Sequence, residues 1–235
     1  MAWMKELPGI PGPAAKEDEI DKLRVLKTEW PQFQLFETLK VANRNLVLLE
    51  RHLERLRNSA LYFDFHFDLP HTRQQLHEYA ALLPSEPYRL RLFLDKAGET
   101  VLDACSLKPL STPLSVALAT EPISRLDCFL YHKTTVRDLY DRHRSMNPDV
   151  DEVLLWNEDG NLTEFTIGNL VAEINGICWT PPIDSGLLAG TMRSELLEKG
   201  EIRERYISKK ELPDASQLWL INSIRGWLPV CLLTQ

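Results

Sequence analysis

Lys133 ends an apolar run, Phe129-Leu130-Tyr131-His132, and is followed by Thr134 and Thr135. Read as a strand leading into a helix capped by the threonines, this pattern puts an amine among apolar walls at the positive end of a helix. There the ammonium is disfavoured, its pKa falls, and the neutral amine can form a Schiff base with an aldehyde. A lysine that follows a strand end out to solvent has the same local pattern. A Schiff-base lysine working with pyridoxal phosphate requires three supports: a carboxylate for the pyridine nitrogen, donors or cations for the phosphate, and a substrate pocket.

Each support has a candidate. Glu164 follows the turn Asn157-Glu158-Asp159-Gly160 and sits in a strand-like run with Phe165 and Ile167, where a carboxylate is costly without a cation. An exposed strand glutamate reads the same way. Gly190, Thr191 and Met192 open a helix, and Asn222 with Ser223 breaks two apolar strands, so both places can offer N–H groups and hydroxyls to an anion. Helix capping and turn formation account for them equally. Arg55 can supply a cation, or pair with Glu50 or Glu54 on a helix surface. Arg89 and Arg91, two apart in YRLRLFLD, share one side of a strand and carry the planar fork that carboxylates accept; a solvent-facing pair has the same spacing.

These residues lie in a chain of 235 residues, 44% hydrophobic and 26% charged, which is globular composition and excludes disorder and collagen-like repeats. A formal charge of -7 argues against a general affinity for nucleic acid or anionic membrane, so any phosphate must be held locally. No stretch reaches the roughly 18 apolar residues of a membrane helix, and the N-terminus has no apolar signal block, so a cytoplasmic location is expected. Cys105, Cys128, Cys178 and Cys231 form no CxxC pair; neither a metal site nor a disulfide framework is expected, and they read as buried free thiols.

Residues 1–22, rich in Pro and Gly and then in charge, read as a flexible tail or linker remnant. FQLFETLKV and LVLL form a hairpin about Ala42–Asn45. LLERHLERLRNSALYF is a helix with Leu49, Leu53, Leu56 and Ala60 on one face, and a second helix runs from Thr72 to Leu83. YRLRLFLD and GETVLDACSL make another hairpin, and LSVALA a further strand. Pro109, Pro113 and the polar segment Glu121–Asp127 suit a connector, which divides the chain into an α/β unit over 23–120 and a second unit over 121–235. In the second, DEVLLWN, NLTEFTI and NLVAEI are strands, Asn175-Gly176 turns a type I′ hairpin into ICWT, TMRSELLEKG is a helix ending at Gly200, and QLWLINS and WLPVCLL are strands. The fold class is α+β, with mixed helices and strands.

The motifs FETLKV, ERHLERLRNSA, YHKTTVR, LTEFTIGNLV, TPPIDSGLLAGTMR and NSIRGWLPV, in this order from about Phe36 to Val230, resemble the fold-type IV pyridoxal-phosphate enzymes. That family holds the branched-chain and D-amino-acid aminotransferases and 4-amino-4-deoxychorismate lyase. YHKTT and NSIRGW most resemble the lyase-like module often fused behind aminodeoxychorismate synthase, and the Pro-rich start suits descent from such a fusion. The resemblance implies a smaller N-terminal α/β domain and a larger cofactor-binding domain with a β-barrel-like core. It implies pyridoxal 5'-phosphate as cofactor, Lys133 as the Schiff-base lysine and Glu164 as the pyridine-nitrogen partner. Arg55 matches the phosphate arginine and Leu188 the residue packing on the ring. Thr191, Met192 and Ser223 occupy phosphate-loop positions, with backbone amides as important as hydroxyls, and Asn169 braces the strand after Glu164. The chain departs from the family pattern at Pro31, Gln32, Phe33 and Gln34, where a glycine-rich turn is common, and at Val171, where an aromatic is preferred.

The chemistry implied by that resemblance has a freed Lys133 acting as general base on a bound amine, with the ring nitrogen kept protonated by Glu164. Transamination and elimination are then both accessible. In 4-amino-4-deoxychorismate, proton loss expels pyruvate and aromatises the ring to 4-aminobenzoate. Arg89, Arg91 and Arg225 are candidate carboxylate anchors, and Thr38, after Glu37 in the FET motif, is a candidate proton donor to the departing enolpyruvate. The alternatives are an aminotransferase for branched-chain or D-amino acids, and a non-catalytic partner of the synthase, against which the intact Lys133 and Glu164 count. The resemblance implies a homodimer and leaves association with a synthase open.

Overall fold

The computed structural model describes residues 32–233, so the expected tail over 1–22 and Pro31 lie outside the described residues. Strand β1 (Leu35–Ala42) alternates buried and half-buried side chains. It turns at Asn43 and Arg44, both left-handed at φ 50 and 64, as a tight hairpin with right-twisted strands requires, and returns through β2 (Asn45–Leu46). With β3 (Tyr88–Leu94) and β4 (Thr100–Ser106) it makes an antiparallel sheet in the order β2-β1-β3-β4.

One face of this sheet, with Leu35, Leu39, Val41, Leu90, Leu92 and Leu94, packs on helices α1 (Leu49–Phe63) and α2 (Leu69–Leu82). The α1 stripe is Leu49, Leu53, Leu56, Ala60 and Phe63. Helix α2 begins before the expected Thr72 because the Asp68 carboxylate accepts the His71 N–H at 3.0 Å, and Pro70 is tolerated in the first turn. The opposite face carries Phe36, Thr38 and Lys40 against Phe93, Arg91 and Arg89, paired in that order.

The larger sheet holds β5 (Leu114–Leu118), β6 (Glu152–Trp156), β7 (Leu162–Phe165), β8 (Gly168–Ile174), β9 (Ile177–Thr180), β10 (Arg203–Glu204), β11 (Ala215–Asn222) and β12 (Gly226–Leu232). The order β8-β11-β12-β5-β6-β7 closes on itself through a β7–β8 pairing, giving a six-stranded barrel from which β9 and β10 extend. Its interior is aliphatic and aromatic, with Val116, Leu154, Leu162, Phe165, Leu170 and Leu220 fully or nearly fully buried. The β8–β9 hairpin turns at Asn175 and Gly176, φ 54 and 73. Helices α3 (Asp138–Ser145) and α4 (Thr191–Glu198) lie outside the barrel strands in sequence.

The architecture is thus the mixed α/β fold implied by the resemblance, a small sheet-and-helix unit and a barrel. Strand β5 differs from the division at residue 120: it pairs in parallel with β12 and β6, so by sheet membership the division falls between Ser106 and Leu114. Alternating hydrophobicity marks a strand but does not say which strand it joins. All four cysteines are free thiols, but none is buried as expected: Cys128 and Cys178 are half-buried, and Cys105 and Cys231 are exposed, each on the outer side of its strand. Among the described residues no helix is long and apolar enough to cross a membrane, and no group of His, Cys, Asp and Glu could hold a metal ion.

Candidate active site

The approach to Lys133 is a single 3-10 turn, Cys128–Leu130, rather than the expected strand. The Asp127 carboxylate caps it by accepting the Phe129 N–H at 2.9 Å. Beyond the turn the chain runs along the start of β1. Phe36 N donates to Lys133 O at 3.0 Å and Thr135 N to Gln34 O at 2.9 Å. The threonines do not cap α3, whose N-cap position is Arg137. The Thr135 hydroxyl accepts Gln34 N at 3.0 Å, which docks the lysine segment on the start of β1, and the Thr134 hydroxyl accepts Val136 N at 3.3 Å, a local turn within the segment.

Side chains on either side fix this segment further. The His132 ring lies 2.9 Å from Ser59 Oγ, stacks on Tyr62 at 4.4 Å and meets the edge of Phe63 at 4.8 Å, so α1 grips it from one side. Phe33, in the segment that departs from the family pattern, packs among Phe63, Phe65 and Phe129 with centroids 5.0, 5.3 and 5.7 Å away. Lys133 Nζ is thereby held 4.5 Å from the centre of the Phe36 ring. Burial, assisted by the charge of Arg55, pulls this amine from its ordinary 10.5 to about 8.

Glu164 lies on β7 and is buried. The Tyr140 hydroxyl donates to its Oε1 at 2.9 Å and Asn169 Nδ2 to its Oε2 at 3.2 Å. The Leu188 N–H also reaches the carboxylate, and burial still raises the carboxyl from 4.5 to about 8. Among the described residues no cation forms an ion pair with it, although Lys133 and Arg137 are near enough to favour its charge. Asn169 also donates to Leu188 O at 2.8 Å, which ties the barrel strand β8 to the loop before α4. A Cβ on Gly190 would stand 1.9 Å from Asn169 Oδ1, so that loop approaches as closely as it does only with glycine.

Arg55 pairs with neither Glu50 nor Glu54. It points inward from α1, donating to Glu37 Oε1 from Nε at 2.8 Å, to Glu37 Oε2 from Nη2 at 2.6 Å and to Ala189 O from Nη1 at 3.0 Å. Glu37 also accepts from His52 Nδ1 at 2.6 Å. Burial alone would raise this carboxyl, but Arg55 and His52 together hold it down at about 2. The other face of His52 reaches α4: Nε2 is 3.2 Å from Thr191 Oγ1. Met192 turns its side chain into the cluster of Val171, Leu196, Ile202 and Ile221, which leaves only its backbone for an anion. Ser223 sits in the β11–β12 turn, where Asn222 Oδ1 accepts Ile224 N at 3.1 Å and Arg225 N at 2.9 Å. Ile221, two residues earlier, is opposite Asn169.

The candidate carboxylate anchors separate. Thr38, Arg89 and Arg91 share the sheet face that presents Phe36 to Lys133. Arg91 is paired with Asp103 at 2.6 Å and lies over Phe93, whereas Arg89 Nε is buried without a hydrogen-bond partner. Arg225 instead donates to Lys108 O, tying the barrel to the segment after β4. Sequence reasoning missed Glu37, His52 and Tyr140. The first two had a signal: Glu37 falls on the same parity as Leu35, Leu39 and Val41, and His52 on the Leu49–Leu53–Leu56 stripe, so each puts a polar group on a face meant for the core.

Together these groups form a buried amine and a buried carboxyl that both titrate near neutrality, and a cation with a helix N-terminus beside them. Such a site suits a flat, anion-bearing aldehyde whose ring carries a basic nitrogen.

Comparison with known proteins bears on this arrangement. The model of the family described as amino-transferase class IV matches residues 34–233. A Schizosaccharomyces pombe protein provisionally named aminodeoxychorismate lyase is 32% identical over 201 residues, covering 81% of this chain and 86% of that one. The crystal structure of a Mesorhizobium loti protein provisionally named amino-acid aminotransferase matches with TM-score 0.80 at 34% identity, covering 86% of this chain and all of that one. The 4-amino-4-deoxychorismate lyase of Pseudomonas aeruginosa shares the fold, with TM-score 0.71, 24% identity and coverage of 86% and 83%.

Proposed function

Because the chain belongs to the class IV amino-transferase family, we propose that it is a pyridoxal-phosphate enzyme that converts 4-amino-4-deoxychorismate to 4-aminobenzoate and pyruvate. The observation that carries the cofactor reading is the burial in one site of an amine and a carboxyl that do not pair with each other, Lys133 over the Phe36 ring and Glu164 held by Tyr140 and Asn169, which brings both to about 8. Glu164 is a carboxyl with no cation bonded to it among the described residues, which is the environment a protonated pyridine nitrogen would complete. Gly190 lets the loop before α4 close on Asn169, which sets Ala189 against Arg55 and Thr191 against His52 at the start of that helix. The residues present therefore fit the cofactor.

When bound, pyridoxal phosphate supplies an electron sink that acidifies the carbon bearing the substrate amine. Lys133 Nζ, largely neutral above pH 8, is the base that takes the proton from that carbon. Glu164 holds a proton on the ring nitrogen, with Tyr140 and Asn169 fixing its two oxygens. Arg55, the N–H groups opening α4 and the Ser223 turn bind the phosphate, and Leu188 packs on the ring. In the elimination the C–O electron pair leaves with the ether oxygen, a ring double bond forms, and Thr38 gives the enolpyruvate a proton. Arg89, whose Nε has no other hydrogen-bond partner among the described residues, binds a substrate carboxylate, with Arg91, which shares its guanidinium with Asp103, and Arg225, which gives one N–H to Lys108 O, as the further carboxylate anchors.

The lyase assignment is supported by the YHKTT and NSIRGW motifs and by the S. pombe relative's name. A second reading, an aminotransferase, is favoured by the M. loti likeness at 34% identity. Product analysis separates them. Under the lyase reading, 4-amino-4-deoxychorismate yields pyruvate and 4-aminobenzoate in equal amounts without a keto-acid acceptor, and Thr38→Val slows this about 10²-fold or more. Amino exchange that requires a keto acid, with no pyruvate released, establishes the second reading, and a Thr38→Val enzyme with unchanged turnover removes Thr38 from the mechanism.

A further inference from the structure

His52 and Thr191 form a contact whose hydrogen-bond direction is set by Glu37. Glu37 is ionised and can only accept, so the proton on His52 must be on Nδ1, where the 2.6 Å contact is made. A neutral imidazole has one N–H, which leaves Nε2 as a lone pair facing Thr191 Oγ1 at 3.2 Å. The Thr191 hydroxyl must then donate inward to Nε2, and it presents only lone pairs outward to an anion. A second proton on His52 reverses this: Nε2–H donates to Oγ1, and the hydroxyl hydrogen is released for the anion.

Resting on the phosphate-site reading above, we propose that His52 is a positioning residue that takes up a proton when the cofactor phosphate binds, so that Thr191 can donate its hydroxyl hydrogen to that phosphate. The charge balance favours the step. Arg55 is already neutralised by Glu37 through two hydrogen bonds, so the pair alone offers the incoming dianion little net charge. An imidazolium at His52 adds the missing unit. The groups facing His52 are Glu37 from β1, Arg55 from its own helix, Thr191 from α4 and Lys133 from the docked segment. Burial holds His52 below its ordinary 6.5, Glu37 opposes this, and Arg55 and Lys133 reinforce it. Without the anion His52 is therefore neutral, and its protonation must accompany binding.

The test uses pyridoxamine phosphate, which carries the phosphate and cannot form an imine with Lys133, and cofactor-free full-length protein. Calorimetry in buffers of different ionisation enthalpy counts protons taken up, and affinity is followed from about pH 5.5 to about pH 8.5. The phosphate's own titration is common to every arm and cancels. A group whose pKa rises on binding adds affinity that is complete below its free pKa and lost as pH rises through its bound pKa. Wild type should take up about one more proton than His52→Gln, and its affinity should fall with pH correspondingly more steeply. Thr191→Val, which keeps His52 in place, should bind about tenfold more weakly at low pH and lose most of the extra proton uptake. Equal proton counts in the three proteins overturn the relay while leaving the phosphate site intact. Absence of binding, or binding indifferent to Arg55→Ala, overturns the proposed function and the relay with it.

Discussion

Glu37 and Glu164 are buried carboxyls shifted in opposite directions, and the difference lies in their partners. Glu37 meets a guanidinium and an imidazole and sits at about 2, whereas Glu164 meets a phenol and an amide and sits at about 8. The sign of each pH effect is set by these shifts. The depressed Glu37 contributes stability that is present above 4.5 and lost as pH falls toward 2; the raised Glu164 makes the cofactor-free fold lose stability as pH rises from 4.5 to 8. Glu37→Gln should cost about 3–5 kcal/mol at neutral pH, because it leaves Arg55 and His52 without their shared partner. Glu164→Gln should raise the melting temperature of cofactor-free protein at pH 8 and leave it nearly unchanged at pH 4. Thermal unfolding across pH checks both, and identical pH profiles for the two variants would contradict the assignment of their environments.

At the level of elements, the site is assembled by three segments that meet: α1 with Arg55 and His52, the docked Lys133 segment, and the loop from Leu188 into α4. Two substitutions separate element stability from site assembly. Asp68→Ala removes the α2 cap and should cost about 1 kcal/mol of stability while leaving cofactor affinity unchanged. Gly190→Ala places a methyl against Asn169 Oδ1 and must push apart the Asn169–Glu164 and Asn169–Leu188 contacts. It should weaken cofactor binding more than tenfold; affinity within twofold of wild type would contradict the proposed role of that loop. Most elements were legible because their apolar periodicity is clean, as in α1, β1 and the Asn175-Gly176 hairpin. The Lys133 approach was not. FLYH is apolar enough for a strand, but its backbone bonds go into a capped 3-10 turn, and Lys133 and Thr135 after it bond to Phe36 and Gln34, partners far off in the chain. Tyr140 was equally hidden, since nothing in DLYDRHR says that its hydroxyl ends on Glu164.

Across the whole molecule, the small sheet unit supplies Arg55, His52, Glu37 and Thr38, and the barrel unit supplies Glu164, Asn169, Leu188 and Thr191, with Lys133 docked between them. A ligand held by both units stabilises both. Pyridoxal phosphate at about 100 times its dissociation constant should add about 2.7 kcal/mol, and the gain should shrink in Arg55→Ala. The closure of β7 on β8 and the placement of β5 were beyond local pattern, since barrel closure is a property of six strands together. The central claim is that Lys133 is the amine that holds the cofactor. Its most direct test is the visible spectrum of the purified protein after addition of pyridoxal phosphate, with and without borohydride, beside Lys133→Ala. The account predicts an absorbance band that borohydride removes and the variant lacks. A protein that shows no band with the cofactor present, or a Lys133→Ala variant that keeps it, would contradict the account.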